Sequence, residues 1–228
     1  MVLGHRVGFG KEEMDPHDVT MTVLGAGLLW FGWFGFNAGS ALAADGLAAQ
    51  AFVTTNTTAA MAALTWLTVS WAHKGHPSVI GAAAGAVSGL VAITPAAGFV
   101  DVPSAVLIGL GAGVICYWAI QLTRKLKVDD ALDVFGVHGV GGTWGALATG
   151  LFAQSSINPN GADGLLFGNP DLFVKQIIAV AATWVFAGGM TFLIMKLIDV
   201  TIGLRVPERE EVLGLDVSQH GETAYQLT

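Results

Sequence analysis

Charge is scarce in this sequence. Asp, Glu, Lys and Arg make up 12% of its 228 residues, about half the ~25% usual in soluble domains. That shortfall argues against an ordinary water-soluble globule. The net charge of −7 comes largely from two polar tails, so it points to no charged partner, and no nucleic-acid partner is expected. Cysteine is nearly missing. The single Cys116 excludes an internal disulfide, and its apolar setting reads as inert helix packing. A secretory leader is not expected either: residues 1–18 are polar and charged, and the apolar run from Val19 is too long for an h-region and lacks a cleavage pattern. Strict apolar/polar alternation is absent, which argues against strands. Metal-ligand spacing of the H-E-x-x-H kind is absent too. His73 and His76 flank a turn, and His5, His17 and His220 lie in polar segments. Asp129, Asp130 and Asp133 read as a helix start, where acids are favoured. A membrane metalloenzyme is therefore disfavoured; neither a cofactor nor enzymatic activity is expected.

What is abundant is apolar residues and glycine: 53% hydrophobic residues and 31 glycines. Together these suit closely packed transmembrane helices, in which small residues let backbones approach. Six apolar runs are each long enough to cross a bilayer at ~20 residues per crossing: residues 19–42, 47–70, 79–96, 102–122, 133–152 and 173–198. The predicted fold is all-α and polytopic. Its parts are a segment at 1–18, a membrane domain of six helices at 19–204 and a tail at 205–228. Lys and Arg sort the connections. Arg6 and Lys11, Lys74, the Arg124, Lys125 and Lys127 group, and Arg205 with Arg209 fall on one side, whereas the alternate loops carry none. The positive-inside rule makes that side, and both termini, cytoplasmic. Gly81, Gly85 and Gly89, and likewise Gly109 and Gly113, read as helix-packing seams. Residues 154–171 read as an extracytoplasmic cap rich in turn residues.

Two polar constellations stand inside the apolar runs. His138 follows Val134 by four residues on one helical face and precedes Gly141, Gly142 and Gly145, so a helix or a small solute could approach its imidazole. An ionisable group there reads as a site, or as a histidine that only bonds a neighbouring helix. In the first run Phe36 and Ser40 share a face, with Trp33 and Leu29 continuing it inward. A ring beside a hydroxyl near a membrane surface can recruit a small cation. The alternative is an interfacial aromatic belt with Ser40 bonded back to its own helix.

Trp30-Phe-Gly-Trp-Phe-Gly-Phe-Asn-Ala-Gly-Ser40, Thr94-Pro-Ala-Ala-Gly98, Val128-Asp-Asp-Ala-Leu-Asp-Val-Phe-Gly-Val-His-Gly-Val140, Gly203-Leu-Arg-Val-Pro207 and Gly214-Leu-Asp-Val-Ser-Gln-His-Gly-Glu-Thr-Ala-Tyr225 resemble the ammonium transporter (Amt/Mep/Rh) family. The resemblance covers nearly the whole chain but only the second half of the family's eleven spans, the sixth to the eleventh. It implies two inverted repeats with a pore between them, of which this chain would supply one plus the last helix. It implies that His138 is the second of a pair of pore histidines and Phe36 one of two gating phenylalanines. Ser40 would be the hydroxyl of the ammonium-recruitment site. Trp33, Leu29, Val87 and Val134 would line the path, and Asp133 would stand at its cytoplasmic vestibule. Ammonium or ammonia is the implied substrate and a homo-trimer the implied assembly. The partner histidine and phenylalanine belong to helices outside these spans, so a fragment that does not conduct alone is expected. Residues 4–11 resemble the family's central loop, which favours a truncated gene or a misplaced start. The alternative function is an ammonium-sensing membrane protein whose tail docks a PII-type protein.

Overall fold

A computed structural model describes residues 2–12 and 14–223. Six long helices run through it: α1 (Val19–Ala38), α2 (Gly46–Lys74), α3 (Val79–Ile93), α4 (Val102–Lys125), α5 (Gly141–Phe152) and α6 (Pro170–Thr201), with a short α7 (Glu208–Leu213) in the tail. No strand occurs among the described residues. Each of the first four starts where a short polar side chain can accept an orphan amide. Asp18 accepts from the amide of Met21, Asp45 from Ala48, Ser78 from Gly81 and Asp101 from Ser104. Asn169 does the same for α6. α2 stops at Gly75, which takes the left-handed φ of +81° that glycine adopts without strain. α3 ends at Ile93 rather than at residue 96 as the apolar run predicted. Pro95 has no amide to continue the ladder, and the Thr94 hydroxyl donates to the Leu90 carbonyl.

Among the described residues, three helices are long and apolar enough to cross a membrane: Val19–Ala41, where a 3-10 turn extends α1, together with α4 and α6. α3 is apolar but shorter. α2 has the length, at 29 residues, but is diluted by Thr54, Thr55, Asn56, Thr57 and Thr58.

Those threonines explain where α2 sits. Thr54 donates to the Ala97 carbonyl at 2.8 Å and Thr58 to the Ala105 carbonyl at 2.9 Å. The first ties α2 to the connection between α3 and α4 and the second is an interhelical bond; both are buried, where a hydrogen bond keeps a polar group satisfied. α3 and α4 both lie against α2 through glycine. A Cβ built on Gly85 or Gly89 would meet α2 atoms at 2.6 Å, and on Gly109 or Gly113 at 2.7 and 2.6 Å. The two predicted seams are therefore one double seam on a single helix. α5 joins it, since Gly145 lies directly on the Ala92 backbone of α3. The core is correspondingly small-residued: Ala59, Ala62, Ala92, Ala105, Ala112 and Ala148 are fully buried.

α1 and α6 are different. Asn37, bonded to Thr55 at 2.9 Å, is the one buried residue of α1, and α6 has none. Phe31, Val185 and Phe186 are each more than 70% exposed. At one end of the bundle the segment before α1 is tied down by a bidentate pair. The Arg6 guanidinium donates to Asp129 Oδ1 at 2.6 and 2.9 Å and to Oδ2 at 3.1 Å. The Val7 amide donates to Glu211 at 2.8 Å, and Arg205 donates to the same carboxylate at 2.7 Å. Of the tail motif, Ala224 and Tyr225 lie outside the described residues.

Candidate functional site

α5 is the one long helix without a side-chain N-cap. It is preceded by a π-helical turn, Phe135–Val140, and His138 lies inside that turn. The turn is held from below. Asp130 accepts from the amides of Val134 and Phe135 at 3.0 and 2.8 Å, and Asp133 takes a φ of +54°, rare for a residue with a side chain. Its carboxylate lies 3.1 Å from Arg124. Gly136 and Val137 are buried, while His138 is exposed.

His138 opens onto a cavity of about 990 Å³. Leu29 of α1 and Val87 of α3 form apolar parts of its wall, and Asp133 stands among its polar parts. Four of the residues singled out from sequence thus share one cavity. Its wall also includes the segment before α1, with Arg6, Phe9 and Glu12, which sequence reasoning did not connect to His138. The Arg6 guanidinium bonds to Asp129 and holds that carboxyl below its usual 3.8, which favours the charged, docked form.

The other candidates follow α1 away from the cavity. Trp33 packs against the core cluster that includes Val91 and Val137, and its indole N–H donates to the Thr94 hydroxyl at 2.8 Å. Phe36 sets its ring edge-on to Trp33 at 5.9 Å between centroids and is 63% exposed. Ser40 is exposed, in a 3-10 turn beyond the end of α1. Its hydroxyl donates to the Phe36 carbonyl at 2.7 Å. This is the back-bonded arrangement, and it leaves the Ser40 oxygen free to accept. Val134 precedes the π turn and is 46% exposed; it is not on the cavity wall. Thr94 stood in the sequence only as the start of a family-like motif; its partnership with Trp33 was hidden by the 61 residues between them.

The expectation about the glycines beside His138 needs correction. Gly141 and Gly145 are buried and face other helices. A Cβ on Gly141 would meet Cys116 Sγ at 3.1 Å, and Gly145 lies on Ala92. Those glycines dock α5 onto α3 and α4; they do not clear a path to the imidazole. The π turn puts His138 on a different side of the axis, where its ring opens onto the cavity walled by α1 and α3.

Known proteins match this chain in sequence and in fold. Residues 1–225 match the model of the Ammonium Transporter Family. The chain is 51% identical over 225 residues to the ammonium transporter Amt1 of Archaeoglobus fulgidus, covering 99% of this chain and 57% of that protein. It is 53% identical over 213 residues to the Bacillus subtilis ammonium transporter, covering 93% of this chain and 53% of that protein. The crystal structure of Candida albicans Mep2 superposes with a TM-score of 0.83 at 36% identity, over 90% of this chain and 47% of that one. A structure described as a sensor Amt protein gives 0.84 at 30% identity, over 96% of this chain and 54% of that one. The chain spans about half the length of the curated relatives it matches. With a family model covering nearly every residue and relatives at half identity, this chain belongs to the ammonium transporter family.

Proposed function

We propose that this chain forms one wall of an ammonium conduction path, with His138 as its polar guide. The observation that carries the reading is the imidazole exposed on a cavity wall shared with Leu29 and Val87. Ammonium loses much hydration free energy on entering an apolar passage, a cost that neutral ammonia largely avoids. A path of this kind needs a place to collect the cation, a way to release its proton, and a group that handles the neutral species. Ser40 and Phe36 serve the first role, through a hydroxyl acceptor and the face of a ring. Phe36 is the gate below it, Trp33, Leu29 and Val87 line the descent, with Val134 off the cavity wall at the start of the π turn, and Asp133 stands in the vestibule. Histidine suits the guide because imidazole both donates and accepts and titrates near neutral pH.

The exposed side of α1 and the length of the relatives support a second wall, supplied by a further set of helices. In this reading six helices cross the bilayer, resembling one inverted repeat plus a last helix, and both termini are cytoplasmic. The Lys- and Arg-bearing connections support that orientation, and the family resemblance supports a homo-trimer. The chain alone does not conduct. Liposomes holding only this polypeptide are expected to show no methylammonium uptake; measurable uptake would overturn the half-pore reading. The conduction reading is tested by fusing the chain behind the first half of the Archaeoglobus fulgidus relative. Uptake by that fusion, lost on Ser40→Leu and altered in rate by His138→Ala, is the expected result. A folded fusion indifferent to both substitutions contradicts it.

A second reading is favoured by the contacts of Glu211 with Arg205 and Val7. They give the tail a defined arrangement that a PII-type regulatory protein could dock on. Arg205→Ala is then expected to weaken that docking in the fusion while leaving uptake unchanged.

A further inference from the structure

We infer that Gly136 is a positioning residue for His138, acting by letting the π turn seat on Ile120 of α4. This rests on the reading of His138 as the guide of the path.

The turn is fixed at both ends. On one side Asp130 holds the amides of Val134 and Phe135. On the other, Gly141 and Gly145 press α5 onto α3 and α4. The buried residues Val137, Gly141, Gly145 and Thr149 recur every four positions. A straight α-helix advances about 400° in four residues, so such a stripe drifts about 40° per step around the axis. A π turn carries a longer hydrogen-bonded loop and takes up an extra residue. Here it keeps Val137 on the packing side with Gly141, and His138, the next residue along, turns out to the cavity.

Gly136 decides whether this turn fits. A Cβ there would lie 2.5 Å from Ile120 Cγ1 and 3.3 Å from the Ile120 amide nitrogen. Ile120 is 2% exposed and packed in a cluster with Cys116, Tyr117 and Val137, so it has no free space to move into. A methyl at 136 therefore pushes the turn off α4. Restoring α geometry would remove the extra residue and rotate positions 135–138 by about 100° against α5. Val137 would leave its pocket and the imidazole would leave the cavity.

Orientation is measurable without transport. Replacing the single Cys116 by Ala and His138 by Cys places the only thiol at the position in question. Its rate of reaction with 2-aminoethyl methanethiosulfonate, in nanodiscs, reports access from the cavity. Adding Gly136→Ala is expected to slow that rate about tenfold or more, and Ile120→Ala on top to bring it back to within about twofold of Ile120→Ala alone, because the overpacked contact is removed. A Gly136→Ala rate equal to the parent overturns the inference, as does a double variant that stays slow. If Gly136→Ala alone does not fold, the double variant against Ile120→Ala decides in the same way. A purely structural role would lower the melting temperature and leave the thiol's rate unchanged. Uptake plays no part in the readout, so failure here and failure of the conduction reading are separate results.

Discussion

Glycines in two parts of this molecule meet opposite fates. On α3 and α4 they are pressed against α2, and at Gly85, Gly89, Gly109 and Gly113 an added Cβ would collide. On α1, Gly25, Gly27, Gly32 and Gly35 have nothing within 4 Å of that position. The residue type is the same and so is the apolar setting. In one region the lack of a side chain is used up by contacts within the chain. In the other it is open, beside Leu28, Phe31 and Phe36, which are exposed as well. A glycine-rich helix in a membrane protein thus says that something approaches closely, without saying whether that something is in the same chain.

Three changes test this contrast. The largest effect is expected from Gly89→Leu. The side chain would meet the Thr58 carbonyl, Ala59 and Ala62, none of which can swing aside. Overpacking costs about 1–3 kcal/mol where a core can relax, and this seam of backbone against backbone should sit at or above the top of that range. Loss of monodisperse, cooperatively melting protein in detergent is the readout, and a variant that melts like the parent would break the contrast at its strong end.

An intermediate effect is expected at Arg6 and Asp129, whose ion pair, together with the bonds of Val7 to Glu211 and of Arg205 to the Leu3 carbonyl, holds a polar segment on the cavity wall. The Asp129 pKa is lowered by Arg6. Its contribution is therefore present above the unfolded value of 3.8 and lost as pH falls through the lower, folded value. Asp129→Asn should free residues 3–9 at every pH, at a cost of about 1 kcal/mol, since Arg6 is partly exposed to solvent. Hydrogen exchange of those amides should rise in the variant at pH 7 and in the parent only in strong acid.

The smallest effect belongs to Gly35→Ala. With no neighbour to meet, it should leave stability unchanged or raise it by up to about 1 kcal/mol through helix propensity. A clear fall in melting temperature would show that the α1 surface is already covered in this chain.

The seams and helices were legible because they are written at short range. Apolar runs, the short polar segments between them and glycines four apart are all visible within a dozen positions. The candidate site was legible in part. Leu29, Val87, Asp133 and His138 could be named from the run each sits in and from family motifs, and the structure brings them to one cavity. The π turn could not be read, because no residue within it demands that geometry. It follows from Ile120, sixteen positions away in sequence, and from Ala92 beneath Gly145. The partnership of Trp33 with Thr94 and that of Arg6 with Asp129 were hidden for the same reason, being bonds between segments 61 and 123 residues apart.

The central place of α2 also bears on how the chain is made. α2 touches α1, α3 and α4, whereas α6 touches α5, the short turn before itself and, through Trp184 on Phe135, the π turn. The double seam is complete once Lys125 has left the ribosome, before α5 and α6 exist. Since domains form N-terminal first during synthesis, the first four helices can assemble as they emerge. α5 then docks on a finished surface, and α6, made after it, holds on to α5 and the π turn.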